Sequence, residues 1–159
     1  MLALFVFGMI TLLFGAVFPV ASRAGHMSGN YAEATLIGQR KMDQCRQAGY
    51  ANTYASGAGA KMTALGIIDN PQPPGYPIVN GTTTTYTFTL ADDLVTIGGV
   101  KGYFPDGTTG TLTVGPVPAG AGWSAPSVSQ AALITATIQW PTGPQGGGVY
   151  ATSTLIRNY

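Results

Sequence analysis

The stretch MLALFVFGMITLLFGAVFPVA, residues 1–21, decides the architecture, because it contains no charged side chain. At about 1.5 Å rise per residue a helix of this length spans roughly 30 Å, the thickness of a bilayer's hydrocarbon core. Gly8, Gly15 and Pro19 would weaken such a helix in water, yet glycine and proline are more frequent in membrane helices than in soluble ones, and Pro19 predicts a kink. A rival reading is a cleaved signal peptide, with Ser22 and Ala24 as small residues at a spacing a peptidase accepts. Against it stand the missing positive n-region and an apolar run longer than the roughly 7–15 residues of an ordinary h-region. Arg23, Arg40, Lys41 and Arg46 all follow the run, and counted alone they place the C-terminal part in the cytoplasm.

Outward from that run, Asn30 with Glu33 three residues on has the form of a capping box, and the next proline is Pro71, which predicts a helix from about Asn30 to Ala48. Gly25 and Gly29 either interrupt it or are carried through. At 100° per residue Tyr31, Ala34, Gly38, Met42 and Cys45 share one stripe, while Glu33, Arg40, Asp43 and Gln47 lie roughly opposite. Leu36 falls on the polar side and Ile37 at the edge of the stripe, which suits a helix with a second packing partner.

Residues 49–81 read as loop, punctuated by Gly57, Gly59, Gly66, Asp69-Asn70-Pro71 and Pro73-Pro74-Gly75. Thr85 to Leu90 then alternates strictly, with Tyr86, Phe88 and Leu90 on one face and threonines on the other, the pattern of a half-buried strand. Leu94 to Phe104 and Gly110 to Val114 read as strands around a Pro105-Asp106-Gly107 turn. Ala132 to Trp140 and Val149 to Ile156 flank a loop from Pro141 to Gly148 as a closing hairpin, and Gly115 to Ser129 reads as surface loop. A long helix followed by strands with no helix-length segment between them predicts an α+β fold with an antiparallel sheet. The chain divides into an apolar transmembrane or filament-core helix over 1–22, an amphipathic helix over 23–49, and a loop plus antiparallel sheet domain over 50–159.

Composition narrows the function. The 159 residues carry only 8% charged side chains and a net charge of +1, against roughly 25% charged in an ordinary soluble domain, which disfavours a charged disordered chain or a nucleic-acid-binding tail. Glycine (23) and proline (11) demand many turns. One cysteine excludes an intrachain disulfide, and with a single histidine the usual His/Cys metal sites are excluded as well. No Walker motif, no GxGxxG before a helix, no GxSxG and no HExxH is present, so the expectation is a protein that is not an enzyme and uses no cofactor.

The text from Met1 to Gly15, running into Ala32-Glu33-Ala34-Thr35-Leu36-Ile37-Gly38-Gln39-Arg40-Lys41-Met42-Asp43-Gln44, resembles the helix of a type IV pilin-like protein, the minor pilins and pseudopilins of type II secretion above all. Ile134 to Trp140 and Tyr150 to Ile156 are similar to the last two strands of those subunits. The middle of the chain carries no specific motif. The family's processing site, a glycine followed by Phe-Thr-Leu and then a glutamate, is missing, and alignment on Gly8 places about six mature residues and a basic leader before Met1. Such a leader would restore the charge asymmetry that puts the sheet domain outside the cytoplasm. The resemblance implies a single-pass subunit of the bacterial inner membrane with a periplasmic or extracellular C-terminal domain, assembled on the cell surface or in the periplasm. It implies other pilin or pseudopilin subunits as partners, and a prepilin peptidase that cleaves and N-methylates the chain. Leu4, Phe5, Gly8, Leu12, Gly15, Pro19, Leu36 and Ile37 are the residues expected to pack against neighbouring subunits.

Other residues have plainer readings. Cys45, on the apolar stripe, reads as a packed side chain rather than a reactive thiol, and His26 as a solvated residue with no acid or cysteine at ligand spacing. Asp92-Asp93 with Asp69 or Asp106 matches a calcium-binding set only loosely and reads as turn and surface acids, since calcium takes six to eight oxygens and no EF-hand spacing is present. Asn80-Gly81-Thr82 is formally a glycosylation sequon but also a strong turn signal, and Thr82 to Thr85 reads as β-propensity before O-glycosylation. Tyr86, Phe88, Trp123 and Trp140 read as core before ligand platform. The alternative to a filament subunit is a secreted or membrane-tethered β-domain that binds a ligand or surface.

Overall fold

The structure, a computed structural model, describes residues 2–90, 104–118, 131–142 and 146–158, with the side chains of residues 2–5 outside the description. One helix, α1 (Leu2–Ala48), dominates it. The helix carries Gly25 and Gly29 through without a break and contains Pro19, so Asn30 is an interior residue and not a cap. Tertiary docking overrides the capping signal here. Once the second half is held against the sheet, the chain before it extends an existing helix and avoids the cost of a new nucleus.

The docked face of α1 is formed by Asn30, Ala34, Ile37, Gly38, Lys41, Met42 and Cys45, all buried. This stripe is rotated slightly from the expected one. Ile37, placed at its edge by the sequence, is 2% exposed, and Tyr31 lies at its border, its ring edge-on to Trp140 at a centroid distance of 4.9 Å. Gly38 sits where the helix crosses the sheet most closely: a Cβ there would lie 2.8 Å from Tyr150 Cε1 and 3.0 Å from Thr152 Cγ2. Gly49, at φ +74°, ends the helix, and its N–H donates to the Cys45 carbonyl at 3.1 Å.

The segment after Gly49, expected to be loop, forms two short helices, α2 (Tyr50–Thr53) and α3 (Ala58–Ala64). They are too short to persist on propensity alone. Packing holds them, with Ala58 and Met62 buried in the core. The five strands are β1 (Ile78–Asn80), β2 (Thr83–Phe88), β3 (Thr109–Pro116), β4 (Ala131–Trp140) and β5 (Gly148–Arg157). They pair antiparallel in the order β1-β2-β3-β4-β5, which gives the α+β architecture that the spacing of helix and strands predicts. Gly115 and Pro116, expected in a loop, extend β3 and pair with Leu133 and Ala132. The rest of that expected loop, from 119 onward, lies outside the described residues, as do residues 94–103 of the expected strand ending at Phe104.

The sheet has two chemically distinct faces. Phe88, Leu112, Val114, Ile134, Ala136, Ile138, Trp140 and Ile156 turn towards the helices and form the core with the α1 stripe. The opposite face carries rows of hydroxyls, with Val149 and the Leu133–Leu155 pair beside them. Thr85, Thr113, Thr135 and Ser153 stand in one row across four strands, and Thr87, Thr111 and Thr137 in the next. Within the first row the Thr85 and Thr113 hydroxyls lie 3.1 Å apart and those of Thr135 and Ser153 2.8 Å apart. Threonine combines high strand propensity with a hydroxyl that water accepts, so these rows need no cover.

Three residues depart from the rule of full hydrogen bonding. The Asn30 amide, 0% exposed, Gln44 Oε1 and the Trp140 indole N–H have no hydrogen-bond partner among the described residues. Each unpaired group costs on the order of 1–3 kcal/mol.

Two tests follow from this packing. Gly38→Ala forces Tyr150 and Thr152 apart and lowers the melting temperature, with overpacking of about 1–3 kcal/mol outweighing the gain of about 0.8–1 kcal/mol in helix propensity. Gly25→Ala, with nothing within 4 Å of the added methyl, raises it. Equal shifts of one sign in thermal melts of the two variants would show that α1 does not press on β5 at Gly38.

Burial, opposed by the nearby Lys41 charge, pushes the Cys45 thiol from 9.0 up to about 12. The folded chain therefore keeps a proton that the unfolded chain releases, and Cys45 makes stability fall as pH rises from about 9 towards about 12. Native protein at pH about 8 should resist iodoacetamide while urea-unfolded protein alkylates. Cys45→Ala should flatten the alkaline decline in the urea midpoint, and an unchanged slope would contradict the burial of this thiol.

Candidate assembly surface

The first half of α1 is exposed from Val6 to His26. An 18-residue window with mean hydropathy 1.7 is wholly unburied, and the helix is long and apolar enough to cross a membrane. Exposed apolar side chains cover most of the circumference: Met9, Leu12, Leu13, Phe14 and Phe18 stand at widely separated angles, and Gly8, Thr11, Gly15 and Pro19 fill the rest. An exposed apolar surface of this extent is the kind that marks a membrane-spanning or interaction segment. Its one hydroxyl within residues 6–20 is already satisfied, since Thr11 Oγ1 donates to the Phe7 carbonyl at 2.7 Å and so makes no demand for water.

Of the residues expected to pack against neighbours, Gly8, Leu12, Gly15 and Pro19 all lie on this exposed half, Leu12 with 76% of its surface free. Gly8 and Gly15 have nothing within 4 Å of where a side chain would begin, so another helix has room to approach there. The side chains of Leu4 and Phe5 lie outside the description. On the docked half the expected pair separates. Leu36 is 59% exposed on the outward face, whereas Ile37 is buried in the chain's own core and is not available to a neighbour. The turn of 100° between adjacent helical positions is the reason: Ile37 falls three residues after Ala34 and five before Met42, on the docked stripe.

Charge on the docked half works inward. Lys41 is 3% exposed, with Nζ donating to the Ile67 carbonyl at 3.2 Å and lying 5.1 Å from the Phe88 ring centroid. It ties α1 to the chain after α3 and lines, with Arg40, a cavity of about 670 Å³. The sequence reading missed it. Its signal was its position seven residues after Ala34 and four before Cys45, a lysine on the apolar stripe. Arg46 Nε donates to Thr154 Oγ1 at 2.9 Å and so links the end of α1 to β5. Its ion pair with Asp43 at 3.2 Å is exposed on both sides and contributes little.

The remaining candidates are not assembled into a reactive group. His26 is exposed on α1 and Cys45 is buried. Asp69 and Asp106 line one cavity of about 440 Å³, but Asp69 Oδ1 accepts from the Thr89 N–H, and Asp92 and Asp93 lie outside the described residues. Among the described residues no three of His, Cys, Asp and Glu are grouped as metal ligands. Phe88 and Trp140 are core residues and Tyr86 packs against the core, while Trp123 lies outside the description. Asn80-Gly81-Thr82 forms the β1–β2 turn, with Gly81 at φ +60°.

Comparison of the chain with protein-family models, with curated proteins and with solved structures returns no match, so the functional reading rests on this geometry and on the sequence resemblance at the two ends.

Proposed function

We propose that the chain is a structural subunit of a type IV pilin-like filament, a minor pilin or a pseudopilin of type II secretion, held in the inner membrane by the first half of α1 before assembly. The observation that carries this reading is the division of one continuous helix into an apolar half exposed on every side and an amphipathic half docked on a sheet. In lipid the apolar half is solvated by acyl chains. Withdrawn from lipid it is removed from water only by bundling with equivalent helices, and the hydrophobic effect then drives the filament together. The sheet domain, with its hydroxyl face outward, decorates the surface. Other subunits of the same class are the partners, and a prepilin peptidase is the processing enzyme that the resemblance implies. A membrane-tethered β-domain acting alone would share the anchor but would have no use for Leu36.

Leu12→Arg places a charge at the centre of the apolar half, at about 2.5–3.5 kcal/mol on insertion scales, and should release the chain from the membrane fraction. Unchanged fractionation of that variant would count against a spanning role.

Leu36→Asp should leave the melting temperature of the detergent-solubilised full chain nearly unchanged while blocking filament formation, because burying that leucine against a neighbour contributes roughly 1.5–3 kcal/mol per contact. Met42→Asp, in contrast, puts a carboxylate into the core and should unfold the sheet domain. Normal filaments from Leu36→Asp in electron micrographs, or loss of its fold, would remove the second packing face from the proposal.

A further inference from the structure

A cavity of about 680 Å³ opens between α2, α3 and the start of β2, on the sheet domain and away from the apolar helix. Three tyrosines, Tyr50, Tyr54 and Tyr86, stand around it, and the Thr84 hydroxyl joins them. Tyr50 and Tyr54 are arranged edge to face at 5.5 Å, so one ring presents its face where the other presents its rim. Gly59 and Ala60 complete the lining, and Gly59 lies close against Tyr86, where a Cβ would come within 3.2 Å of the tyrosine hydroxyl. Among the described residues none that lines the cavity carries a formal charge.

This lining selects a ligand by chemistry. An ion entering it would lose hydration without gaining a counter-charge, which is costly. A purely apolar ligand would make no use of the polar tips of the tyrosines and threonines that line the cavity. A neutral polyhydroxylated ring satisfies both: its C–H face packs on the electron-rich face of a tyrosine, and its hydroxyls exchange hydrogen bonds with Tyr and Thr oxygens. The volume falls within the range of about 300–1,000 Å³ of small-ligand sites. Burial pushes the Tyr86 hydroxyl above the ordinary tyrosine value, and a hydrogen bond with Thr84 pulls it back, so the group stays a neutral donor and acceptor.

We propose that this tyrosine-lined cavity is a binding site for a neutral saccharide. The site stands on the sheet domain's own residues and does not depend on whether α1 bundles into a filament.

The test is saturation-transfer NMR on the full chain in a detergent without a sugar headgroup, with the methyl glycosides of glucose, galactose and mannose and with N-acetylglucosamine as probes. Saturable millimolar binding of at least one is expected. Tyr54→Ala should weaken it about tenfold. Ala60→Trp, which fills the cavity from a surface position and removes nothing from the core, should abolish it, with circular dichroism showing both variants folded. Absence of binding by all four probes would overturn the proposal. So would binding that survives Ala60→Trp, or a preference for a charged sugar acid or a proline-rich peptide over every neutral glycoside.

Discussion

The structure depends on a mismatch of length between one helix and one sheet. Ten-residue strands such as β4 and β5 reach about 33 Å at the usual rise of an extended chain. The part of α1 from Met27 to Ala48 covers about the same distance at 1.5 Å per residue. The sheet is therefore just long enough for the second half of the helix and has nothing to offer the first. Among the described residues the apolar side chains from Val6 to Val20 are left exposed, on a stretch long and apolar enough to cross a membrane.

The same economy shows in where charge is placed. Arg23, Glu33, Arg40, Lys41, Asp43 and Arg46 all lie on α1, while the outer face of the sheet relies on rows of threonine for its compatibility with water. The hydroxyl rows themselves carry no charge, and Arg157 stands on the same side at the end of β5. An apolar outer face would have made the same sheet adhesive. The glycines of the sheet follow its packing, as at Gly110, which lies opposite Phe88 and leaves room for that ring across the strand pair.

Much of this was legible in the residues, and the misses have physical causes. The alternation from Thr85 to Leu90 and the pair of strands ending in Trp140 and Ile156 are strong because each strand has one wet and one dry face, and a period of two leaves little choice of register. The helices α2 and α3 were illegible because Gly57 and Gly59 argue for loop, and only Met62 and Ala58, by entering the core, hold the segment helical. Asn30 misled for the opposite reason: its sequence context is that of a cap, but its place on the docked stripe is fixed by contacts distant in sequence. Of the assembly surface, the apolar half was plain from the missing charges. The separation of Leu36 from Ile37 required knowing which way the helix turns on its sheet.

The docking of α1 combines specific contacts with buried atoms left unpaired. Near the C-terminal end, Arg46 reaches Thr154, Lys41 holds the Ile67 carbonyl, and the missing side chain of Gly38 lets Tyr150 and Thr152 close against the backbone. A stripe of residues spaced by four would otherwise slide by a turn with little loss, and these specific contacts fix its register. Near the other end the polar groups of Asn30 and Trp140 are buried without partners, so the contact between Tyr31 and Trp140 is made against an opposing cost. The hydrogen bonds that Lys41 and Arg46 make from α1 to the rest of the fold thus lie towards its C-terminal end, although unpaired buried atoms stand at both ends of the docked stripe, Gln44 Oε1 at one and the Asn30 amide at the other.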